Sequence, residues 1–321
     1  MIAYKETMVR FSVVIVHRDG AELLLRALAH LQAALDPARD EVWLVDNGSR
    51  DDSVAQVRAA YPQVRIIENG CNNGFGRACN QAIEQARGEF VLLLNNDAHV
   101  QPDALDRFEQ DFRALPQAGI VAGQLYGPDG AAQRSHGMLP TVRAELGLGR
   151  QPLPKLAQDR ASEVETVVGA CMAVRRAAID QAGLLDPAFF FYFEETEWCV
   201  RLRRHGGQVW LDPRIRVTHL KGASTRTVRR GAQVEMLRSR LIFYRRVFTP
   251  PMAVLLSAWR IARLLVNFLL NAALLLLMAG LNRRLRNKVA VYGTQVLWLA
   301  LGCPRSWGLP DKCPESDKRS R

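Results

Sequence analysis

FVLLLNNDA, residues 90–98, is the stretch on which the fold turns. Five apolar residues end abruptly at Asn95, Asn96 and Asp97. A short, continuous apolar run suits a strand buried on both faces. In a parallel sheet, the residues just past the strand's C-terminal end are delivered to the ligand crevice. Asp97 is therefore a candidate carboxylate for a divalent metal bound to a diphosphate. The competing role is a turn or helix cap.

The segments before it repeat one pattern. An apolar strand over 11–16 leads into a helical pattern running to residue 35, and a strand over 41–45 ends at Asp46-Asn47-Gly48-Ser49. A short helix opens at Ser53, a strand covers 64–67, and Asn72-Asn73-Gly74-Phe75-Gly76 starts a helix over 77–86. Strands alternating with helices across short connections predict a mostly parallel α/β sheet. Asp46 and Asp97 then share one sheet edge, on strands expected to be neighbours. Asp46 can accept from the imide N–H of a uracil or thymine ring, and Gly48 and Ser49 leave room for close backbone approach to a ligand. The turn at Gly74 offers backbone amides to phosphates, although it lacks the dinucleotide fingerprint.

Downstream, a helix is expected over 103–114 and a strand over 119–122. Residues 124–165 read as one long loop, and 167–175 as a single strand. Five aromatic residues, 189–193, precede Glu194, Glu195 and Glu197 at a helix start. Carboxylates gain there from the helix dipole, and an apolar setting raises a carboxyl pKa toward that of a general base. Two short strands, 208–211 and 216–219, bring in His219, with Ser224 five residues on.

The formal charge of +11 is unevenly spread. Residues 1–225 hold 25 Lys and Arg against 28 Asp and Glu, whereas residues 226–321 hold 18 against 4. That distribution argues against a nucleic-acid partner and for an anionic membrane surface met by the C-terminal part. Residues 264–281 are uncharged and about as long as a bilayer's hydrocarbon core, with Asn267 and Asn271 one turn apart and Arg283, Arg284, Arg286 and Lys288 just beyond. Helices lying in the cytoplasmic leaflet fit best. A single span, or a helical pair buried in a homodimer, are the alternatives. The six cysteines show no metal spacing and read as reduced thiols of a cytosolic protein, and the first eleven residues contain no apolar core of signal-peptide length.

Six segments, in order, carry a resemblance to a known family: SVVIVHRDG (12–20), VDNGSRDDS (45–53), NGFGRACN (73–80), LLLNNDA (92–98), FFFYFEETEWCVRLRRHG (189–206) and VTHLKGAS (217–224). The chain resembles the inverting glycosyltransferases of family 2, of GT-A fold, and within them rhamnosyltransferase-like enzymes of bacterial cell-surface polysaccharide synthesis. The resemblance implies a GT-A domain over 8–228, while the apolar and basic pattern of 229–309 marks a membrane-associating helical region and the polar composition of 310–321 a disordered tail. It implies donor contacts from Asp46, Asn47, Gly74, Arg77 and Asn96, a Mg2+ or Mn2+ ion held by Asp97 and His219, and Glu195 as catalytic base. The implied donor is dTDP-rhamnose or a UDP-sugar. The implied acceptor is a glycan or a polyprenyl-diphosphate-linked sugar at the cytoplasmic face of the inner membrane. Two residues depart from the family pattern: Asn95 stands where the first acid of the DxD motif usually lies, and Glu195 where an Asp is common. They motivate the alternative of a catalytically weak nucleotide-sugar-binding or membrane adaptor protein. His17 stands where the family often has Asn or Ser and is placed only near the donor pocket.

Overall fold

The computed structural model describes residues 9–149, 152–220 and 229–314. The first eight residues, Ser224 and the tail beyond residue 314 lie outside that range, and so do the expectations made for them. In chain order the elements are β1 (Phe11–His17), α1 (Ala21–Gln32), β2 (Asp40–Asp46), α2 (Ser53–Ala60), β3 (Arg65–Glu68), α3 (Phe75–Ile83), β4 (Phe90–Asn95), β5 (Ala98–Val100), α4 (Ala104–Ala114), β6 (Ala118–Tyr126), β7 (His136–Gly137), α5 (Val142–Glu145), β8 (Ser162–Glu163), β9 (Thr166–Val167), β10 (Cys171–Arg175), α6 (Arg176–Ala182), α7 (Glu194–Arg204), β11 (Gln208–His219), α8 (Arg229–Val247), α9 (Pro250–Leu277) and α10 (Arg283–Ala300).

One sheet carries the order β3-β2-β1-β4-β10-β6-β11-β5, with β8 added alongside β11. β1 pairs parallel with β2 and β4, β2 with β3, and β6 with β11. β10 runs antiparallel between β4 and β6, so β6 and β11 point the same way as the first four strands. The sheet is thus mostly parallel and flanked by helices, as the α/β pattern predicts. β1 lies between β2 and β4, so the acid-bearing strands are not direct neighbours.

The period-2 alternation of strand side chains builds two core layers. Phe11, Val13 and Ile15 join Phe90, Leu92 and Leu94 on the face covered by Leu24, Leu28 and Phe108. Val14, Val91 and Leu93 point to the other face, among Cys79, Ile83, Trp198 and Leu202. β4 is therefore apolar on both sides because both sides are covered. Each such Leu contributes roughly 1.5–3 kcal/mol by leaving water.

Several local expectations change. The 124–165 stretch contains the end of β6, β7, α5 and β8. The 167–175 strand is interrupted by a turn at Gly169-Ala170, because β9 pairs with β7 whereas β10 pairs with β4 and β6. The two strands expected over 208–219 are one strand, β11, whose register shifts between Asp212 and Arg216. A short strand, β5, follows Asp97 directly and pairs antiparallel with the end of β11. Cys79, Cys171, Cys199 and Cys303 are free thiols, whereas Cys71 is held in a disulfide, which corrects the reading of six reduced thiols.

The chain divides into two compact units. The first takes residues 1–139, 152–187 and 194–223 and contains the sheet. The second takes 140–151, 188–193 and 224–321. Within the second, α8, α9 and α10 share an apolar centre of Val234, Leu237, Leu264 and Trp298. The Asn267 and Asn271 amides donate to the carbonyls of Arg263 and Asn267, one turn back on their own helix, and so present little free polarity. α9 is long and apolar enough to cross a membrane by length and composition, and Leu269, Leu270, Leu276 and Leu277 on it are exposed.

Candidate active site

The parallel register aligns three strand ends. His17 pairs with Asp46, and Val16 with Asn95, so Asp46, His17 and Asn96 follow one another across the sheet edge. All three are buried. The Asn96 amide donates to His17 Nδ1 over 2.9 Å, which leaves the ring proton on Nε2, a buried atom without a partner among the described residues. Burial lowers the His17 pKa, against the pull of Asp46, Asp51 and Asp19, so the ring is neutral at pH 7.

Asp46 is held by its own turn. Its carboxylate accepts from the Gly48 amide at 3.2 Å, the Ser49 amide at 3.1 Å and the Ser49 hydroxyl. Gly48 sits at φ +79°, and a Cβ there would lie 2.7 Å from the Cys71 amide nitrogen. The space that Gly48 leaves is thus taken by the backbone of the next turn rather than left for a ligand. Asn47 ties the two turns together: its amide donates to the Gly74 carbonyl at 3.0 Å, and its Oδ1 accepts from Asn69 at 3.0 Å. Gly74, at φ +80°, precedes α3, and Arg77 in the first turn donates to the Pro187 carbonyl at 2.8 Å.

Asp97 lies just past β4, and its carbonyl accepts from the Leu220 amide. The β5–β11 pairing sets His219 opposite Ala98, which brings His219 Nε2 to 3.4 Å from Asp97 Oδ1. Gln133 fixes the ring. Its Nε2 donates to the His219 carbonyl at 2.9 Å, which turns its Oε1 toward His219 Nδ1 at 3.2 Å. In the neutral ring that arrangement puts the proton on Nδ1 and leaves a bare lone pair on Nε2 facing a carboxylate. Two acceptors facing each other with no proton between them suit a cation. One oxygen and one imidazole nitrogen, with an outer partner orienting the ring, form a donor set compatible with Mn2+. Among the described residues no group of three or more His, Cys, Asp or Glu side chains converges on such a point.

The acidic helix start resolves into three different environments. Glu197 is buried and paired with Arg201 at 2.9 Å, a local structural contact. Glu194 is buried near Gly76, with Oε2 unpartnered among the described residues. Its pKa is pushed well up by burial and then by the charge of Glu195. Glu195 is half-buried with its side chain laid along Gly169, where an added Cβ would lie 3.6 Å from Glu195 Cβ. The protein around it strips water from the carboxyl and raises its pKa. The next residue, Ala170, accepts at its carbonyl from the Asn95 amide at 2.9 Å. Glu195 and Asp97 are therefore tied to the same strand end, one through the 169–170 turn and the other through β5.

Two residues here were not singled out from sequence. Gln133 lies just beyond a tight turn, where Gly130 donates to the Gly127 carbonyl and Gln133 to that of Leu125. The Pro128-Asp129-Gly130 triplet is a turn signal that marks it. Gly169 interrupts an apolar run, a sign of close backbone approach.

Comparison with known proteins bears on this geometry. A sequence profile for Glycosyl transferase family 2 matches residues 12–183. The chain is similar to the N-acetylglucosaminyl-diphospho-decaprenol L-rhamnosyltransferase of Mycobacterium tuberculosis, at 32% identity over 228 residues, 63% of this chain and 73% of that protein. A low-salt glycan biosynthesis hexosyltransferase of Haloferax volcanii is 24% identical over 70% of this chain and 76% of its own. Among solved structures, a mannosyltransferase from Pyrobaculum calidifontis in complex with GDP-Man and Mn2+ covers 92% of this chain and 86% of its own, with a TM-score of 0.54 and 16% identity. GalNAc-T7 with UDP, GalNAc and Mn2+ covers 67% of this chain and 44% of its own, with a TM-score of 0.53 and 18% identity.

Proposed function

This chain belongs to glycosyl transferase family 2, and from that premise we propose that it is an inverting, metal-dependent enzyme moving a sugar from a nucleotide-diphosphate donor to a polyprenyl-diphosphate-linked acceptor. Rhamnose is the sugar favoured by the similarity to the mycobacterial rhamnosyltransferase, and dTDP-rhamnose, with UDP-sugars next, is the donor that the family resemblance implies. Residues 8–228 form the transferase domain, and 229–309 dock it on the cytoplasmic face of the inner membrane.

One observation carries the reading. The end of β4 brings together Asp97, facing His219 on one side, and Glu195, through the Gly169-Ala170 turn, on the other. Asp97 and His219 would hold Mn2+ or Mg2+, which when bound neutralises charge on the leaving diphosphate. Asp46 accepts from the donor's base, and Asn47, Gly74, Arg77 and Asn96 shape the donor end. Glu195 takes the proton of the acceptor hydroxyl as that oxygen forms its bond to the anomeric carbon. The bond from that carbon to the diphosphate oxygen breaks on the opposite face, and the nucleoside diphosphate leaves. The raised pKa of Glu195 suits this role, because a base works best when its pKa nears the working pH.

Glu195→Gln tests the assignment. It keeps the side chain's shape and removes the base, so transfer should fall on the order of 10²–10⁴-fold while donor binding, read by thermal shift, stays intact. Unchanged turnover would remove Glu195 from the role.

A further inference from the structure

α9 contains two charged residues in 28, Arg260 and Arg263, one turn apart. Ionic groups in an otherwise apolar helix are costly and need a reason. Both arginines belong to the second compact unit, and so does the segment they face. Arg260 is half-buried, and the charged groups that act on it are Arg240, Glu145 and Arg263, with Tyr244 beside them. Arg263 reaches Gly147, where a Cβ would lie 3.7 Å from its guanidinium.

The acid in this cluster is already taken. Glu145 accepts from Arg240 at 3.0 and 3.1 Å and from the Tyr244 hydroxyl, so both its oxygens are used. Glu235, the one acid of α8–α10, is buried against Arg238 and Lys312. Arg260 and Arg263 therefore have no carboxylate partner among the described residues. Arg240 Nε is in addition buried without an acceptor among the described residues, while its guanidinium stacks 5.1 Å from the Phe193 ring. Three guanidinium groups thus face one satisfied acid. On the same helix, Val266, Leu269 and Leu270 stand exposed at 54%, 63% and 64% within the next two turns.

We propose that Arg260 and Arg263 form the binding site for the diphosphate of an isoprenoid lipid, whose hydrocarbon chain lies along Val266, Leu269 and Leu270. The proposal rests on the reading of the acceptor as lipid-linked. Guanidinium forks match phosphate oxygens in pairs, and a diphosphate brings the charge that Glu145 cannot supply twice. Phospholipid headgroups share the phosphate chemistry. The exposed Arg284 and Arg286 beyond α9 are the groups that read them by charge alone.

The test is flotation of the full chain with phosphatidylcholine vesicles that are either plain, doped with a long-chain isoprenyl diphosphate, or doped with phosphatidylglycerol at matched charge. Wild type should prefer both doped vesicles over plain ones. Arg260→Gln/Arg263→Gln should lose about tenfold or more in affinity for the isoprenyl-diphosphate vesicles and little for phosphatidylglycerol, one charge-assisted hydrogen bond being worth at least that. Arg284→Gln/Arg286→Gln should do the reverse. Thermal shift with nucleotide sugar confirms that each variant is folded, and Arg260→Lys should restore part of the loss. A diphosphate preference kept in the Arg260/Arg263 variant overturns the site. Equal loss on both doped vesicles also overturns it, since the pair would then read membrane charge. A wild type indifferent to isoprenyl diphosphate overturns the lipid-acceptor reading as well.

Discussion

The ends of β2 and β4 each present an aspartate, and the two are held in opposite ways. Asp46 is wrapped by donors from its own turn, the Gly48 and Ser49 amides and the Ser49 hydroxyl. Asp97 receives no such donor from its own turn among the described residues and faces the His219 Nε2 at 3.4 Å. A carboxylate supplied with local donors is stable as it stands and can still offer a spare lone pair. A carboxylate set against another acceptor is stable only when something positive lies between. On the proposed reading, the difference separates an acid that shapes the donor pocket from one that holds a cation.

Removing Asp97 should break the contrast most sharply. Asp97→Ala is expected to lower kcat about 10³-fold and to leave thermal stability near wild type, because among the described residues no hydrogen-bonded turn depends on its side chain. Added Mn2+ should shift the melting temperature of wild type and not of the variant. A variant that still responds to Mn2+ would place the ion elsewhere. Next in size is Gln133→Ala, which frees the His219 ring to adopt either tautomer. Losing an outer partner of this kind costs roughly 10–100-fold in metal affinity or activity, and raising the Mn2+ concentration should recover part of it. If the loss were indifferent to Mn2+, Gln133 would serve only the fold.

Asp46 sharpens the other side. Asp46→Asn keeps an oxygen for the Gly48 and Ser49 amides but removes the charge. A donor KM raised about tenfold with kcat nearly unchanged is expected, the worth of one charge-assisted hydrogen bond. An unchanged KM would make Asp46 a turn residue and nothing more.

The sequence reads these two acids correctly as strand-end residues, because a buried strand followed by polar residues needs only periodicity to be seen. It does not reveal how each is partnered. Asp97 meets His219 through β5, a three-residue strand too short to show a pattern, whose pairing partners in β11 lie 117 to 121 residues further along the chain. The antiparallel β10 is similarly hidden, since strand direction leaves no trace in an apolar run. Glu194, Glu195 and Glu197 look equivalent in a line of text. Their separate fates, a buried carboxyl, a candidate base and an ion pair, depend on what α7 packs against: Gly76, Gly169 and Arg201. The turn at Pro128-Asp129-Gly130 was readable, and with it the approach of Gln133 to β6.

The smallest expected effect discriminates most finely. Gly169→Ala adds one methyl 3.6 Å from Glu195 Cβ, an ordinary contact distance, so the fold should accept it. The methyl displaces more water from around the Glu195 carboxyl, whose pKa burial already raises. Desolvation disfavours the charged form, so the pKa moves further up. Glu195 must be deprotonated to accept the acceptor's proton, so activity rises as pH passes through that pKa. The acid limb of the pH–rate profile should therefore shift to higher pH in Gly169→Ala, with the high-pH plateau within a few-fold of wild type. A lowered plateau with an unmoved limb would mean that the methyl displaces the carboxylate rather than desolvating it. A limb absent from both proteins would mean that Glu195 is not the group whose proton the reaction needs.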